Sequence, residues 1–400
     1  MRSIGVYLHI PFCVQKCAYC DFLSGPATRQ RQQEYVEALL REIAWESKHY
    51  TEYIIKSVFL GGGTPSVLGA DEIAKILACL RTCYQMDAAA EITMEMNPGT
   101  ADWGKLLCLK KAGINRLSIG LQSADNAELK MLGRIHTYEE FLRTYHQARA
   151  AGFANINIDL MSALPGQHID SWVQTLEKVV ALQPEHISAY SLMLEEGTQL
   201  YERQDVLPPV PDEDEDRQMY QETKRILAAQ GYHRYEISNY AKKGYECRHN
   251  CIYWQRGCRH TADFVGFGLG ASSTVGDSRW KNTDDMKRYL SVLQKQNNRV
   301  YDSRLIDDST VGESVKEAVT RLSVEEQMEE FMFLGLRMME GVSKQEFTDS
   351  FGKDLDEVYG SALQKWIQMK MMSLHGNMVC LTDAGIDVSN TVLSSFVLGT

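Results

Sequence analysis

The sequence predicts an α/β protein built on parallel strands, followed by a smaller α+β domain. Three observations predict it. Short β-rich runs alternate with helical patterns through the first half of the chain. Several of those runs, such as INIDLM, are apolar nearly throughout, as expected of strands covered on both faces. The chain is also 400 residues long, too long for one small core.

The elements follow in order. Strands are expected at 5–10, 57–60, 91–96, 116–121, 155–161 and 186–193. Helical patterns fill the gaps at 29–47, 71–83, 100–112, 138–151 and 170–182. Six βα repeats imply parallel strands with right-handed crossovers. A closed or partial barrel and an open doubly wound sheet both fit this pattern. A Pro-rich acidic joint at 207–216 (LPPVPDEDED) ends the module. Its acids are expected in the first turn of the next helix, where the dipole favours negative charge. Residues 274–312 are polar and turn-rich and read as a connector. From 323 to 400 the pattern is three helices and then two short strands around 375–377, a small winged-helix-like domain. The divisions are therefore a core at 1–240, a motif and connector region at 241–312, and a C-terminal domain at 313–400. No repeat of fixed period beyond the βα units and no low-complexity tract is visible.

Composition narrows the function. The net charge is −11 with no run of Lys and Arg, which argues against a phosphate-tracking nucleic-acid surface. Winged helices often bind DNA, but without a basic face this one reads as structural or partner-binding. No apolar stretch has the length of a transmembrane segment. Residues 3–10 (SIGVYLHI) read as a strand rather than a signal peptide, so a cytoplasmic location is expected. Ten cysteines are too few for a disulfide scaffold, and in a reducing compartment clustered thiols are metal ligands first.

Such a cluster follows the first strand. Cys13, Cys17 and Cys20 stand in YLHIPFCVQKCAYCDF, a CxxxCxxC spacing that puts three thiolates on one loop at the C-terminal mouth of the strands. Three soft ligands suit iron–sulfur or zinc. A [4Fe–4S] cube held by three cysteines keeps one iron open for an exchangeable ligand, whereas a closed zinc site needs a fourth protein ligand that this loop lacks. The plain alternatives are three unrelated core cysteines or a zinc loop completed from elsewhere.

This loop resembles that of the radical SAM superfamily, and YLHIPFCVQKCAYCDF is similar to its oxygen-independent coproporphyrinogen III oxidase family. The resemblance covers about the whole chain and continues through HISAYSLMLEEGT. It implies a partial (β/α)₆ barrel of TIM type with the cluster at its mouth and S-adenosylmethionine on the open iron. A C-terminal domain of the HemN type follows.

Later strand ends fit that expectation. Gly61-Gly62-Gly63-Thr64-Pro65 ends the second strand, where glycine allows positive φ and close backbone approach. No GK[ST] follows, so it is not a phosphate loop. Glu95, ending the third strand in EMNP, can accept ribose hydroxyls or an ammonium; otherwise it is a surface carboxylate. Gln122 ends the fourth strand and Arg134 follows in LGRIHT. Asp159 lies in an apolar strand, where an unpartnered carboxylate is costly to bury. The resemblance implies that Tyr7, Tyr19, Gly62, Gly63, Thr64, Glu95, Gln122, Arg134 and Asp159 contact adenosylmethionine. Reductive cleavage to a 5′-deoxyadenosyl radical would be the cofactor's chemistry, with the protein supplying position and exclusion of water.

Two features divide the family. Its dehydrogenases follow the third cysteine with x-Cys, whereas Phe22 stands here. Glu246-Cys247-Arg248-His249-Asn250-Cys251-Ile252-Tyr253-Trp254 matches the HNxxYW motif of the HemW subfamily, which implies haem binding and transfer. His249 can bind haem iron, Asn250 or Tyr253 can orient its ring, and Trp254 offers a flat apolar surface. The plain alternative is a structural His beside a Tyr-Trp core pair. Cys247, His249, Cys251, Cys258 and His260 could instead hold zinc or a second cluster, though their spacing matches no closed zinc pattern. Many relatives carry His where Ser272 stands, so no ligand is expected there. Cys79, Cys83, Cys108 and Cys380 read as small core residues.

The sequence thus predicts a haem chaperone carrying a [4Fe–4S] cluster and adenosylmethionine. Its partners would be haem, an acceptor protein and, if adenosylmethionine is cleaved, an electron donor. The alternatives are an oxygen-independent coproporphyrinogen III dehydrogenase, which turns propionates into vinyl groups with loss of CO₂, and a non-catalytic zinc-loop interaction protein.

Overall fold

The structure, a computed structural model, describes residues 1–255, 263–295 and 314–398. Its first half is six βα units. The strands are β1 (Arg2–Ile10), β2 (Tyr53–Gly62), β3 (Gln85–Met96), β4 (Arg116–Gln122), β5 (Ile156–Ser162) and β6 (His186–Ser191). They pair in that order and all in parallel. Between them run α1 (Arg29–Glu46), α2 (Ala70–Cys83), α3 (Trp103–Ala112), α4 (Asn126–Met131), α5 (Tyr138–Ala150) and α6 (Ile169–Val180).

Helix α4 has no counterpart in the sequence reading. It is a single capped turn, with Asp125 accepting the amides of Ala127 and Glu128, too short to show a period. β2 and β3 also begin earlier than expected, pairing Ile54 with Gln85 before a register shift between Ile55 and Ser57.

The sheet curls, because Gly62 of β2, Glu95 of β3, Asp159 of β5 and Tyr190 of β6 line one cavity. Outward strand residues such as Val6, Leu8, Val58, Leu60, Met94 and Ile119 are buried against the helices in one core. Inward residues at the N-terminal ends are polar and buried, among them Ser57, Glu91, Arg116, Asn157 and His186.

After β6 come α7 (Gln199–Glu202), α8 (Glu213–Ala229), β7 (His233–Arg234), β8 (Asn239–Ala241) and α9 (Arg248–Trp254). The acidic run does begin a helix: Asp212 and Glu215 form a reciprocal cap, and Glu213, Asp214, Glu215 and Asp216 fill the first turn of α8. β8 adds antiparallel to β6, and β7 to β8.

Of the connector read at 274–312, residues 296–312 lie outside the described residues, and the rest is corrected by β10 (Ser272–Val275), β11 (Ser278–Asn282) and α10 (Met286–Lys295), which follow β9 (Phe264–Phe267). β9 runs parallel to β1, and β10, β11 and β12 (Lys316–Arg321) extend the sheet antiparallel. The overlooked signal is Gly276-Asp277, a two-residue hairpin loop between Val275 and Ser278. Its strands are too short and too polar for a period to show. α10 is plainer: it packs on α1 and buries Tyr289, Leu290, Val292 and Leu293.

A second core gathers α11 (Val324–Gly335), α12 (Lys344–Phe351) and α13 (Leu355–Gln368) around Phe331, Phe347, Tyr359, Trp366 and Phe396. Against them lies a small sheet of β13 (Val342–Ser343), β15 (Met378–Leu381) and β14 (Met372–His375). β13, only two residues long, is a strand the sequence reading omitted. This unit is tied to the later strands of the large sheet by Arg234 of β7 on Asp383 at 2.9 Å and Arg279 of β11 on Glu330 at 2.6 Å. The Arg337 guanidinium also lies 4.5 Å from the Trp254 ring centre.

Candidate functional site

The loop after β1 is fastened to the strand ends by its backbone. Cys13 N donates to Gly25 O, Gly25 N to Pro11 O, Ala18 N to Leu132 O, and Leu200 N to Ala18 O. His9 shares a 2.9 Å hydrogen bond with Leu23 O. These bonds turn Cys13, Cys17 and Cys20 onto a cavity of about 430 Å³. Burial pushes the Cys13 and Cys20 thiols up, so ligation of iron there would release protons. Among the described residues no three His, Cys, Asp or Glu side chains converge closely enough to hold one metal ion. A cube whose thiolates each take a different iron makes no such demand.

The same cavity is lined by Tyr19, Gly62, Gly63, Thr64, Glu95, Gln122, Arg134 and Asp159. Tyr7 is not among the residues that line it. Its hydroxyl is bound to His9 Nδ1 at 3.0 Å and its ring lies along Phe59, inside the barrel. The strand alternation places it there: position 7 faces inward a full layer below the loop.

The glycine run is a cradle without spare room. A Cβ on Gly63 would stand 2.5 Å from Phe12 O, and one on Gly62, whose φ is +107°, 2.5 Å from the His9 ring. Any side chain there would push the loop off the strand end. Gln122 has φ +69° next to a register shift between Gly120 and Gln122. That left-handed backbone, unfavourable for a residue with a side chain, turns Gln122 to the cavity. The buried Gln122 Oε1 and Arg134 Nε have no partner, so the wall keeps an acceptor and a donor for a ligand.

Arg134 reaches Cys17 Sγ at 3.5 Å and Asn97 Oδ1 at 2.8 Å. Asn97 Nδ2 donates to Thr64 Oγ1 at 2.9 Å. Sequence reasoning overlooked Asn97, although it stands two positions after Glu95 and therefore on the same face of the chain. It also overlooked Ser118, Met161, Tyr190 and Met193, which line the cavity too.

Two acids share the interior. Asp159 accepts from Ser118 Oγ at 2.9 Å and Asn157 Nδ2 at 2.7 Å, so it finds protein partners, and burial raises its pKa. Glu95 accepts the Gly62 amide at 3.1 Å. Burial, and then the charge of Asp159, push Glu95 up to about 8. Arg116, 1% exposed, puts its positive charge on both. At the mouth the exposed Phe22 and Met193 stand with Lys16, Asp21 and Glu195.

The residues fit the cluster and its nucleoside. Three thiolates stand on one wall, the glycine cradle admits a close ligand, and unpartnered polar atoms face the space between.

The Arg248–Trp254 motif lies elsewhere. α9 plugs the N-terminal end of the strands, and Glu91 caps it by accepting from Arg248 N at 3.3 Å, His249 N at 3.2 Å and Cys247 Sγ at 3.6 Å. His249 is fully buried. Its Nδ1 is 2.9 Å from Ser57 Oγ and its Nε2 2.9 Å from the Tyr253 hydroxyl. Burial, followed by the Arg116 charge, lowers its pKa to about 3, so the ring is neutral. In this arrangement neither nitrogen of His249 is open to haem iron, and Tyr253 is spent on the same bond. The sequence expectation gave His249 to haem iron with Asn250 or Tyr253 orienting its ring; here His249 and Tyr253 are hydrogen-bonded to each other. A sequence motif shows which residues are present but not which face of α9 the barrel covers.

Cys247 is buried and Cys251 partly buried beside Trp254 and Met338. Cys258 and His260, which would complete a second metal site, lie outside the described residues. Cys79 and Cys83 pack on the core, but Cys108 is exposed, contrary to its reading as a core residue.

Comparison with known proteins agrees with this geometry. Residues 7–179 match the radical SAM superfamily and 322–388 the HemN C-terminal domain. The chain is 33% identical over 395 residues to the haem chaperone HemW of Lactococcus lactis subsp. lactis, covering 98% of this chain and 97% of that one. To the Bacillus subtilis haem chaperone HemW it is also 33% identical, covering 98% and 99%. The Escherichia coli coproporphyrinogen III oxidase HemN, a radical SAM enzyme, shares the fold: TM-score 0.82, 22% identity, 99% of this chain and 90% of that one.

Proposed function

Because the chain belongs to the HemW family, within the radical SAM superfamily, we propose that it binds haem and passes it to an acceptor protein while carrying a [4Fe–4S] cluster and adenosylmethionine. The observation that carries this reading is the match to haem chaperones along the whole chain, joined to an intact cluster loop. Cys13, Cys17 and Cys20 hold the cluster. Tyr7, Tyr19, Gly62, Gly63, Thr64, Glu95, Gln122, Arg134 and Asp159 hold the nucleoside, with Asn97 fixing Arg134. When bound, the cluster and adenosylmethionine supply one-electron reductive chemistry. The protein holds the thiolates, cradles the methionyl group on glycine backbone and keeps two acids beneath it. The setting is the cytoplasm, where thiols stay reduced. No helix among the described residues is long and apolar enough to cross a membrane.

Haem titration of the anaerobically prepared protein tests the carrier role. A stoichiometric Soret band that moves to an apo-acceptor supports it, and absence of haem binding overturns it. The His249→Ala variant, run alongside, decides the ligand: equal binding removes His249 from the haem site. A second reading, coproporphyrinogen III dehydrogenase, is favoured by the exposed Phe22 and Met193 side chains beside the cavity. Against it stands Phe22, which supplies no thiol where the dehydrogenases have one. Conversion of coproporphyrinogen III to protoporphyrinogen under reducing, anaerobic conditions would establish that reading instead.

A further inference from the structure

Helix α9 packs inside the barrel at the N-terminal ends of the strands, with His249 against Ser57 and Phe59 of β2. The His249 ring lies stacked on Phe59, centroids 5.3 Å apart and planes 24° apart. Phe59 in turn lies along Tyr7 at 6.4 Å and 26°. The Phe59 edge and the Glu95 carboxylate both lie against Gly61, where a Cβ would stand 2.9 Å from Phe59 Cε1 and 3.1 Å from Glu95 Oε2. Tyr253 is held by His249 Nε2 at 2.9 Å and by Phe264, whose ring meets it edge-on at 4.7 Å. The Glu95 charge is felt at both Tyr253 and Tyr7. Room for α9 is made by Gly5, where a Cβ would stand 2.8 Å from Ile252 Cδ1 and 3.3 Å from His249 Nδ1.

We propose that His249 and Tyr253 are positioning residues of the nucleoside pocket, bracing Phe59 and through it the Glu95 carboxylate, so that seating of α9 and binding of adenosylmethionine are coupled. The physical reason is that a buried, fully hydrogen-bonded imidazole holds one ring orientation, and an aromatic stack transmits that orientation without slack. The inference rests on reading the pocket as the adenosylmethionine site, and is independent of haem.

The test measures adenosylmethionine binding by equilibrium dialysis on the anaerobically reconstituted full-length chain. The variants are Glu95→Gln, Tyr253→Phe, His249→Gln and His249→Ala, each with iron content and thermal midpoint recorded. Glu95→Gln is expected to weaken binding, and Tyr253→Phe to weaken it about fivefold or more with native iron content. His249→Gln, which keeps a donor and an acceptor, is expected to recover part of what His249→Ala loses. By reciprocity, adenosylmethionine should slow hydrogen exchange of the α9 amides in the wild type. Wild-type affinity in Tyr253→Phe and both His249 variants, with Glu95→Gln impaired, overturns the coupling alone. Wild-type affinity in Glu95→Gln overturns the pocket reading as well. If His249→Ala fails to fold, Tyr253→Phe and the exchange measurement still decide.

Discussion

Arg134 and Cys17, 117 positions apart in the chain, meet at the mouth of the barrel, guanidinium Nη1 3.5 Å from Sγ. The same guanidinium holds Asn97, so one side chain joins the cluster loop, β3 and the segment after α4. A charge-assisted hydrogen bond is worth about 1.5–3 kcal/mol. Arg134→Leu should therefore lower adenosylmethionine affinity by roughly 10- to 100-fold, read by dialysis against the reconstituted protein. Cys17→Ala should lose the iron and sulfide of the cube altogether, and retention of one stoichiometric zinc would sink the cluster assignment.

The cradle gives a steric prediction. Gly63→Ala places a methyl 2.5 Å from Phe12 O, a backbone atom that cannot rotate away. Overpacking of this kind costs about 1–3 kcal/mol. The expected outcome is a lowered thermal midpoint of the metal-free protein together with reduced cluster incorporation. An unchanged midpoint with full iron would show that the loop has slack the geometry denies.

Glu95 predicts a pH dependence. Its carboxyl is raised from 4.5 to about 8 by burial and by Asp159. The folded state therefore holds a proton that the unfolded state releases. The stability this group contributes is fully present below pH 4.5 and is lost as pH rises through about 8. Denaturant melts of the metal-free protein at pH 6, 7 and 8 should show a falling stability whose slope shrinks in Glu95→Gln. Equal slopes in the two proteins would count against a protonated Glu95.

Glu91 caps α9 with three accepted hydrogen bonds. Glu91→Ala leaves buried amides of the helix start without acceptors, at about 1–3 kcal/mol. The expected result is a lower thermal midpoint and faster proteolysis at α9, with the sheet's circular dichroism retained. A midpoint within error of wild type would remove the cap from the account of this helix.

Much of the architecture was legible without the structure because local rules determine it. The six strands and their helices announce themselves through continuous apolar runs and helical periods, and Asp212 with Glu215 spells its own cap. Cys13, Cys17 and Cys20 lie within one loop, so their spacing alone places them together on one wall. The Gly61–Gly63 run likewise states a close approach in its composition.

Other features depended on contacts that no local pattern encodes. Asn97 joins the site through Arg134 and Thr64, and the Tyr7 ring lies against Phe59 of the neighbouring strand. The motif at His249 names residues suited to iron and sets Tyr253 one helical turn on, yet only the packing of α9 on β2 brings Ser57 to the other imidazole nitrogen. The sequence by itself determined which groups exist and how they are spaced along each strand. The tertiary structure decided which of them face the cavity and which are spent on one another, because burial and partnership depend on chain segments far apart in sequence.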